Sequence, residues 1–185
     1  LEFGYRVRGS KVVSPGGAEL TVRDLATVRA LHPNWLADSR HVYFLGRVVR
    51  GLDPATTTIL GDHHARDARQ VFFGPTRLEV DPGTFQLFPE SSYIRGECLG
   101  CDRDTVLFFE DLDAAPRRIG ANPGAFRVLG IHGTDGETVW ASGRKLAGVN
   151  AKKWERLPGL FWSRDDKHCY FFNHRLPGAH AASFE

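Results

Sequence analysis

The apolar residues of this chain fall in short, strand-sized runs such as Val42–Leu45 and Val106–Phe109, separated by Asp, Asn, Gly and Pro. Laid on itself, the chain resolves into two alternating boxes. The first is Asp, three variable residues and an apolar or aromatic run. It occurs as Asp38…Val42-Tyr43-Phe44, Asp67…Val71-Phe72-Phe73, Asp102…Val106-Leu107-Phe108, Asp135…Val139-Trp140 and Asp165…Cys169-Tyr170-Phe171. The second is Asp or Asn, usually Pro, a spacer, Thr or a substitute, an apolar residue, and Leu three further on. It reads Asp53-Pro54…Leu60, Asp81-Pro82…Phe88, Asn122-Pro123…Leu129 and Asn150…Leu157, with a degenerate copy at Asp24…Leu31 and a truncated one at His180…Phe184.

Spacing separates this pattern from chance. Second boxes begin at 24, 53, 81, 122, 150 and 180, and first boxes at 38, 67, 102, 135 and 165. Two interleaved boxes that hold phase over five cycles mark a tandem repeat of about 30 residues.

Each box has a physical reading. In the first, Val42 and Phe44 take one face of a strand and Tyr43 the other, as a pleated surface requires. The Asp before the run suits an Asx-turn that bonds backbone N–H groups as the chain enters the strand. A Gly-containing turn follows (Gly46, Gly74, Gly143), then a second extended piece such as Arg47–Arg50, which predicts a β-hairpin. In the second box the Asp or Asn caps free N–H groups and Pro sits where no N–H is needed. Phe85, Phe126, Trp154 and Phe184 are expected to plug inward from that turn, ahead of a short strand. The fold class is therefore all-β, with units near residues 5–31, 38–60, 67–88, 102–129, 135–157 and 165–185 in a single repeat domain over 1–185. One unit cannot bury its own apolar face, so copies must stack. The pattern leaves open whether they form a stacked array or close like a propeller.

The Asp165-Asp166-Lys167-His168-Cys169-Tyr170-Phe171 and Val80-Asp81-Pro82-Gly83-Thr84-Phe85 segments resemble the DKNYY family of bacterial repeat proteins, and the resemblance runs over about residues 24–184. It implies no catalytic motif. Family members look like proteins found beside secreted bacterial toxins, which implies an immunity or other protein-binding role. The compartment, bacterial cytoplasm or periplasm, stays open.

Composition narrows the alternatives. The formal net charge of +2, with Lys and Arg scattered along the chain, gives no footprint for nucleic acid. No apolar run approaches the roughly 20 residues of a membrane-spanning helix. Cys98-Leu99-Gly100-Cys101 has the spacing of redox and zinc sites, but only Cys169 remains to complete a set. It reads as a thiol pair in a loop, with a local disulfide as the alternative.

The recurring Asp38, Asp53, Asp67, Asp81, Asp102, Asp135 and Asp165 are the obvious acid–base candidates. Catalysis needs such a pair once, so their repetition points to turn capping instead. Calcium would need several oxygens in one loop, and only Asp62/Asp67, Asp102/Asp104 and Asp111/Asp113 cluster. Asp62-His63-His64-Ala65-Arg66-Asp67 is the one His-rich stretch and reads as an exposed loop, lacking any metal or hydrolase frame. We expect no catalytic residues, no metal and no cofactor. Trp35, Trp140, Trp154 and Trp162 read as core or stacking residues.

The period breaks in the third unit, with extra residues in 89–101 and 110–118. Insertions in repeat proteins map to loops, often on the binding face. These carry Tyr93, Arg95, Glu97, Glu110, Asp111, Asp113, Arg117 and Arg118, the aromatic, Arg and acidic mixture of protein interfaces. The expected function is non-catalytic binding of another protein, a cognate toxin. The rival readings are a structural or envelope-associated repeat protein that acts as a scaffold or binds glycan, the latter through Trp35 or Trp140, and a hydrolase using Asp62, His64 and Asp67.

Overall fold

The computed structural model describes residues 1–88 and 98–183. These residues form six small antiparallel sheets, and the protein is all-β with a repeated architecture. The chain divides into two compact units, Leu1–Gly83 and Thr84–Glu185.

The first unit holds three sheets. Sheet I has three strands (Arg6–Arg8, Lys11–Val13, Glu19–Leu20). Sheet II is Arg29–His32, Trp35–Ala37, Val42–Phe44 and Arg47–Val49. Sheet III is Thr58–Ile59, His64–Arg66, Val71–Phe73 and Thr76–Leu78. The second unit holds sheet IV (Gln86–Leu87, Cys98–Cys101, Val106–Phe109, Arg117–Arg118), sheet V (Arg127–Leu129, His132–Thr134, Val139–Ala141, Arg144–Lys145) and sheet VI (Glu155–Arg156, Trp162–Arg164, His168–Phe171, His174–His180).

Each sheet is a meander in chain order, and the strands of the five four-stranded sheets are here called a to d. Strand a continues from the second box, strand c is the aromatic run, and strand d follows the Gly turn in sheets II, III and V, residues 110–116 in sheet IV and Phe172-Asn173 in sheet VI. Strand b, only three or four residues, is the piece that the boxes do not announce. It pairs on both edges, for instance Ala65 with Ile59 and with Phe72. A short segment without regular alternation is held there by two neighbours rather than by its own propensity. The turns of the second box close with Thr56 N–H on the Asp53 carbonyl and Ala125 N–H on that of Asn122. Near Asn150 and His180 they tighten into single 3-10 turns, Ala151–Lys153 and Ala181–Ser183.

Packing within each unit runs from sheet to sheet. Tyr5, Val12, Val22, Leu36 and Tyr43 form one core between sheets I and II. Between sheets IV and V, Leu99, Val106 and Phe108 pack with Phe126, Ile131 and Trp140. Val139, Ala141 and Leu146 of sheet V meet Tyr170 of sheet VI. The c–d turn also packs closely. Gly143 has φ +67°, and a Cβ there would stand 2.3 Å from the Phe108 ring of sheet IV. This position needs glycine for both its backbone and its neighbour.

A second fit joins the second box to strand b. Phe126 lies over Gly133 and Phe85 over Gly100; an added Cβ would come within 2.3 and 2.9 Å of the respective rings. Where the box carries the smaller Val28 or Thr57, strand b carries Leu36 or Ala65 at the matching position. The two bulkiest box residues of these four thus meet the strand b positions that have no side chain, as close packing demands.

Candidate partner-binding surface

The carboxylates that invite a catalytic reading are spent on the turns. In each first box one carboxylate oxygen (Oδ1) accepts the N–H groups two and three residues on: from Arg40 and His41 to Asp38, Arg69 and Gln70 to Asp67, Asp104 and Thr105 to Asp102, Glu137 and Thr138 to Asp135, and Lys167 and His168 to Asp165. The other oxygen (Oδ2) reaches back along the chain. It accepts the N–H of Asp24 at Asp38, of Asp53 at Asp67, of Asn122 at Asp135 and of Asn150 at Asp165, at 2.9–3.1 Å and 13 to 15 residues away. A tyrosine hydroxyl, Tyr43 or Tyr170, adds a further bond at Asp38 and Asp165. This clamp joins the two boxes and explains why they hold phase.

Burial pulls these carboxyls up, but the converging donors outweigh it, so Asp38, Asp67, Asp135 and Asp165 are held below the usual carboxylate range. They are structural anions with filled acceptor sites. The second-box residues are turn caps too: Asp53, Asp81 and Asn122 each accept the N–H two residues on.

Two expectations need correction. His64 is not in an exposed loop; it is buried in strand b of sheet III, its ring 4.9 Å from that of Phe73. Burial pushes it down to about 3, so it is a neutral core side chain at physiological pH. Asp67 is locked in its turn and Asp62 is exposed beside His32. No working triad forms from Asp62, His64 and Asp67. Likewise Cys98 and Cys101 lie in strand b of sheet IV, not in a loop, and both are free thiols. Burial drives Cys98 up to about 12 and raises Cys101 and Cys169, which silences them as nucleophiles. Both signals were hidden by strand b, whose sequences lack alternation.

Trp35 and Trp140 are buried and spend their indole N–H groups on the carbonyls of Asp62 and Ile119. Neither can serve as a glycan platform. Among the described residues no group of three His, Cys, Asp or Glu side chains is placed to hold a metal ion. No helix there is long and apolar enough to cross a membrane.

Of the proposed partner contacts, Tyr93, Arg95 and Glu97 lie outside the described residues. The other five fall on one excursion between strands c and d of sheet IV. Glu110, Asp111 and Asp113 are exposed in the loop, and Asp111 braces it by accepting the N–H groups of Asp113 and Ala114. Arg118 is exposed on the strand that closes it. Arg117 has a different job. Its guanidinium stacks 5.0 Å over the Phe108 ring and donates to the carbonyls of Ser142 and Gly143 at 3.4 Å, while Glu110 stands 3.8 Å away. Arg117 ties sheet IV to sheet V at the base of this acidic loop.

No curated protein and no solved structure matches this chain. A family model does, over residues 8–185, nearly its whole length. The chain therefore belongs to the DKNYY family.

Proposed function

We propose that this protein is a non-catalytic binder of another protein, an immunity protein that neutralises a cognate secreted bacterial toxin. The observation that carries the reading is a contrast between two sets of carboxylates. Those of the first box are buried or half-buried in their turns, whereas Glu110, Asp111 and Asp113 are exposed on an inserted loop with its base anchored through Arg117. A preorganised acidic loop suits a partner that presents Lys or Arg, since complementary charge speeds encounter and fixes register. A toxin that acts on nucleic acid has such a basic surface, and an acidic cover would compete with its substrate.

The test is binding and protection with the product of a neighbouring toxin gene. Titration calorimetry should give sub-micromolar affinity, and charge reversal by Asp111→Lys with Asp113→Lys should weaken it at least tenfold, about 1.4 kcal/mol. Cells that survive the active toxin equally well without this gene would sink the reading.

A further inference from the structure

A cleft of about 300 Å³ opens beside sheet II, within the first unit. It is lined by Arg23, by Arg40 and His41 of the b–c turn, and by the end of strand d with Arg50 just beyond it. No Asp or Glu lines it. Among the described residues none of the three guanidinium groups forms an ion pair or a hydrogen bond. The bonds of Arg23 and Arg40 are those of their backbone N–H groups, donated to Tyr43 Oη and Asp38 Oδ1. The acids nearest in the chain are already engaged. Asp38 holds N–H groups in its turn, Asp24 accepts the Ser39 hydroxyl, and Asp53 accepts the Ala55 N–H and the Thr56 hydroxyl.

The repeat does not call for this charge. The residue just before the second box is Leu52, Val80, Ala121 or Val149 in later copies, and it is Arg23 in the first. The framework uses only the backbone N–H of that arginine. The b–c turn of sheet III provides the comparison. The cleft there, about 360 Å³, is lined by Asp53 and Asp67 beside Arg69, the counterpart of Arg40. Opposite charges offset one another in that cleft, whereas the cleft of sheet II gathers one sign. Like charges in one concavity repel, and an anion placed among them turns that repulsion into attraction.

We infer that the Arg23–Arg40–Arg50 cleft binds a phosphoryl group, as free phosphate or as the head of a small phosphomonoester. The chemistry of the lining selects that anion. A single guanidinium fork satisfies a carboxylate, whereas a phosphoryl group near pH 7 carries about −1.5 to −2 charge and three acceptor oxygens, enough for several forks at once. The volume lies at the small end of ligand pockets, which start at roughly 300 Å³, and so suits a head group rather than a large ligand. The buried Val49 and Leu52 give the cleft an apolar wall, beside which water weakens the attraction less. The site does not rest on the toxin reading, and a failed toxin titration leaves it untouched.

Titration calorimetry of the full chain with inorganic phosphate, with O-phosphoserine and with acetate tests it, in sodium chloride near physiological ionic strength to screen loose attraction. Phosphate should bind with a dissociation constant below about 1 mM, and at least about tenfold more weakly in Arg40→Ala and in Arg50→Ala. Both variants keep the backbone bonds of the turn and should keep the native unfolding midpoint. Arg69→Ala, in the cleft that carries its own acids, should retain native affinity. Tighter binding of O-phosphoserine than of phosphate assigns the site to an ester, and the reverse assigns it to the free ion. Amide chemical shifts give a reading without mutation, with phosphate moving Arg23, Arg40, His41 and Gly51. Absence of phosphate binding, acetate bound as tightly, native affinity in both Arg40→Ala and Arg50→Ala, an equal loss in Arg69→Ala, or shifts confined to other sheets would each overturn the proposal.

Discussion

The backbone N–H of Asn150 donates to Asp165 Oδ2 at 2.9 Å, joining the turn that ends one repeat to the turn that opens the next aromatic strand. The same bond recurs from Asp24 to Asp38, from Asp53 to Asp67 and from Asn122 to Asp135. One carboxylate thus satisfies at least three N–H groups, two in its own turn and one in the turn before. Removing it orphans all of them together. Asp38→Ala should cost about 3–5 kcal/mol in urea unfolding, because several donors around a buried site lose their partner. Asp62→Ala, at an exposed position, should stay within about 0.5 kcal/mol.

Acid should weaken the fold in two stages. His64 and His132 are pushed down to about 3 and about 4 by burial, with Arg156 adding to the effect at His132. The unfolded chain, with an ordinary histidine near 6.5, takes up those protons first, so stability falls as pH drops from about 6.5 toward 4. Each histidine contributes a slope of up to about 1.4 kcal/mol per pH unit there. The clamp carboxyls titrate low when folded, so their contribution is present above the ordinary carboxylate value and is lost below about pH 4. Urea midpoints measured from pH 7 to 4 should show the first stage, and His132→Leu should flatten it. An unchanged slope in that variant would remove His132 from the account.

Gly133 is occupied ground. Gly133→Ala should destabilise by about 1–3 kcal/mol, since its methyl group would enter the Phe126 ring. Trimming the ring relieves the clash, so Gly133→Ala combined with Phe126→Leu should cost less than the sum of the two single changes. Additive costs in that cycle would mean that the two positions do not touch.

The thiols should be silent in the folded protein. At pH 7.5 a thiol-reactive dye should label the native chain slowly and label three cysteines per chain in urea. Rapid native labelling would place at least one thiol in solvent.

Arg117→Ala should cost about 1 kcal/mol, from the lost ring stacking and two long carbonyl bonds. Asp113→Lys should be near neutral in the same unfolding assay. Equal costs for both would place Asp113 in the framework and not on a free surface.

The boxes made most of the architecture legible. Asp, Pro and Gly dictate backbone conformation locally, so the turns at Asp38 or Asp53 could be read without knowing what packs on them. The aromatic run after each Asp is long enough to identify strand c. Strand b was not legible, because His64-Ala65-Arg66 and His132-Gly133-Thr134 are extended only by virtue of two neighbouring strands. Without strand b, the pattern alone assigns His64 to one loop and Cys98 and Cys101 to another. Of the expected contact residues, the sequence pattern located the loop but not the separate role of Arg117, whose target, Phe108, becomes its neighbour only after strands c and d pair.

The clamp has a kinetic meaning as well. Its carboxylates bond partners no more than 15 residues away, and each sheet is built from strands consecutive in the chain. Loop closure over such distances is cheap, so a repeat can begin to order without waiting for distant segments. An all-β chain made in this way should have an unusually low contact order for its class, and any sheet could serve as the first to form.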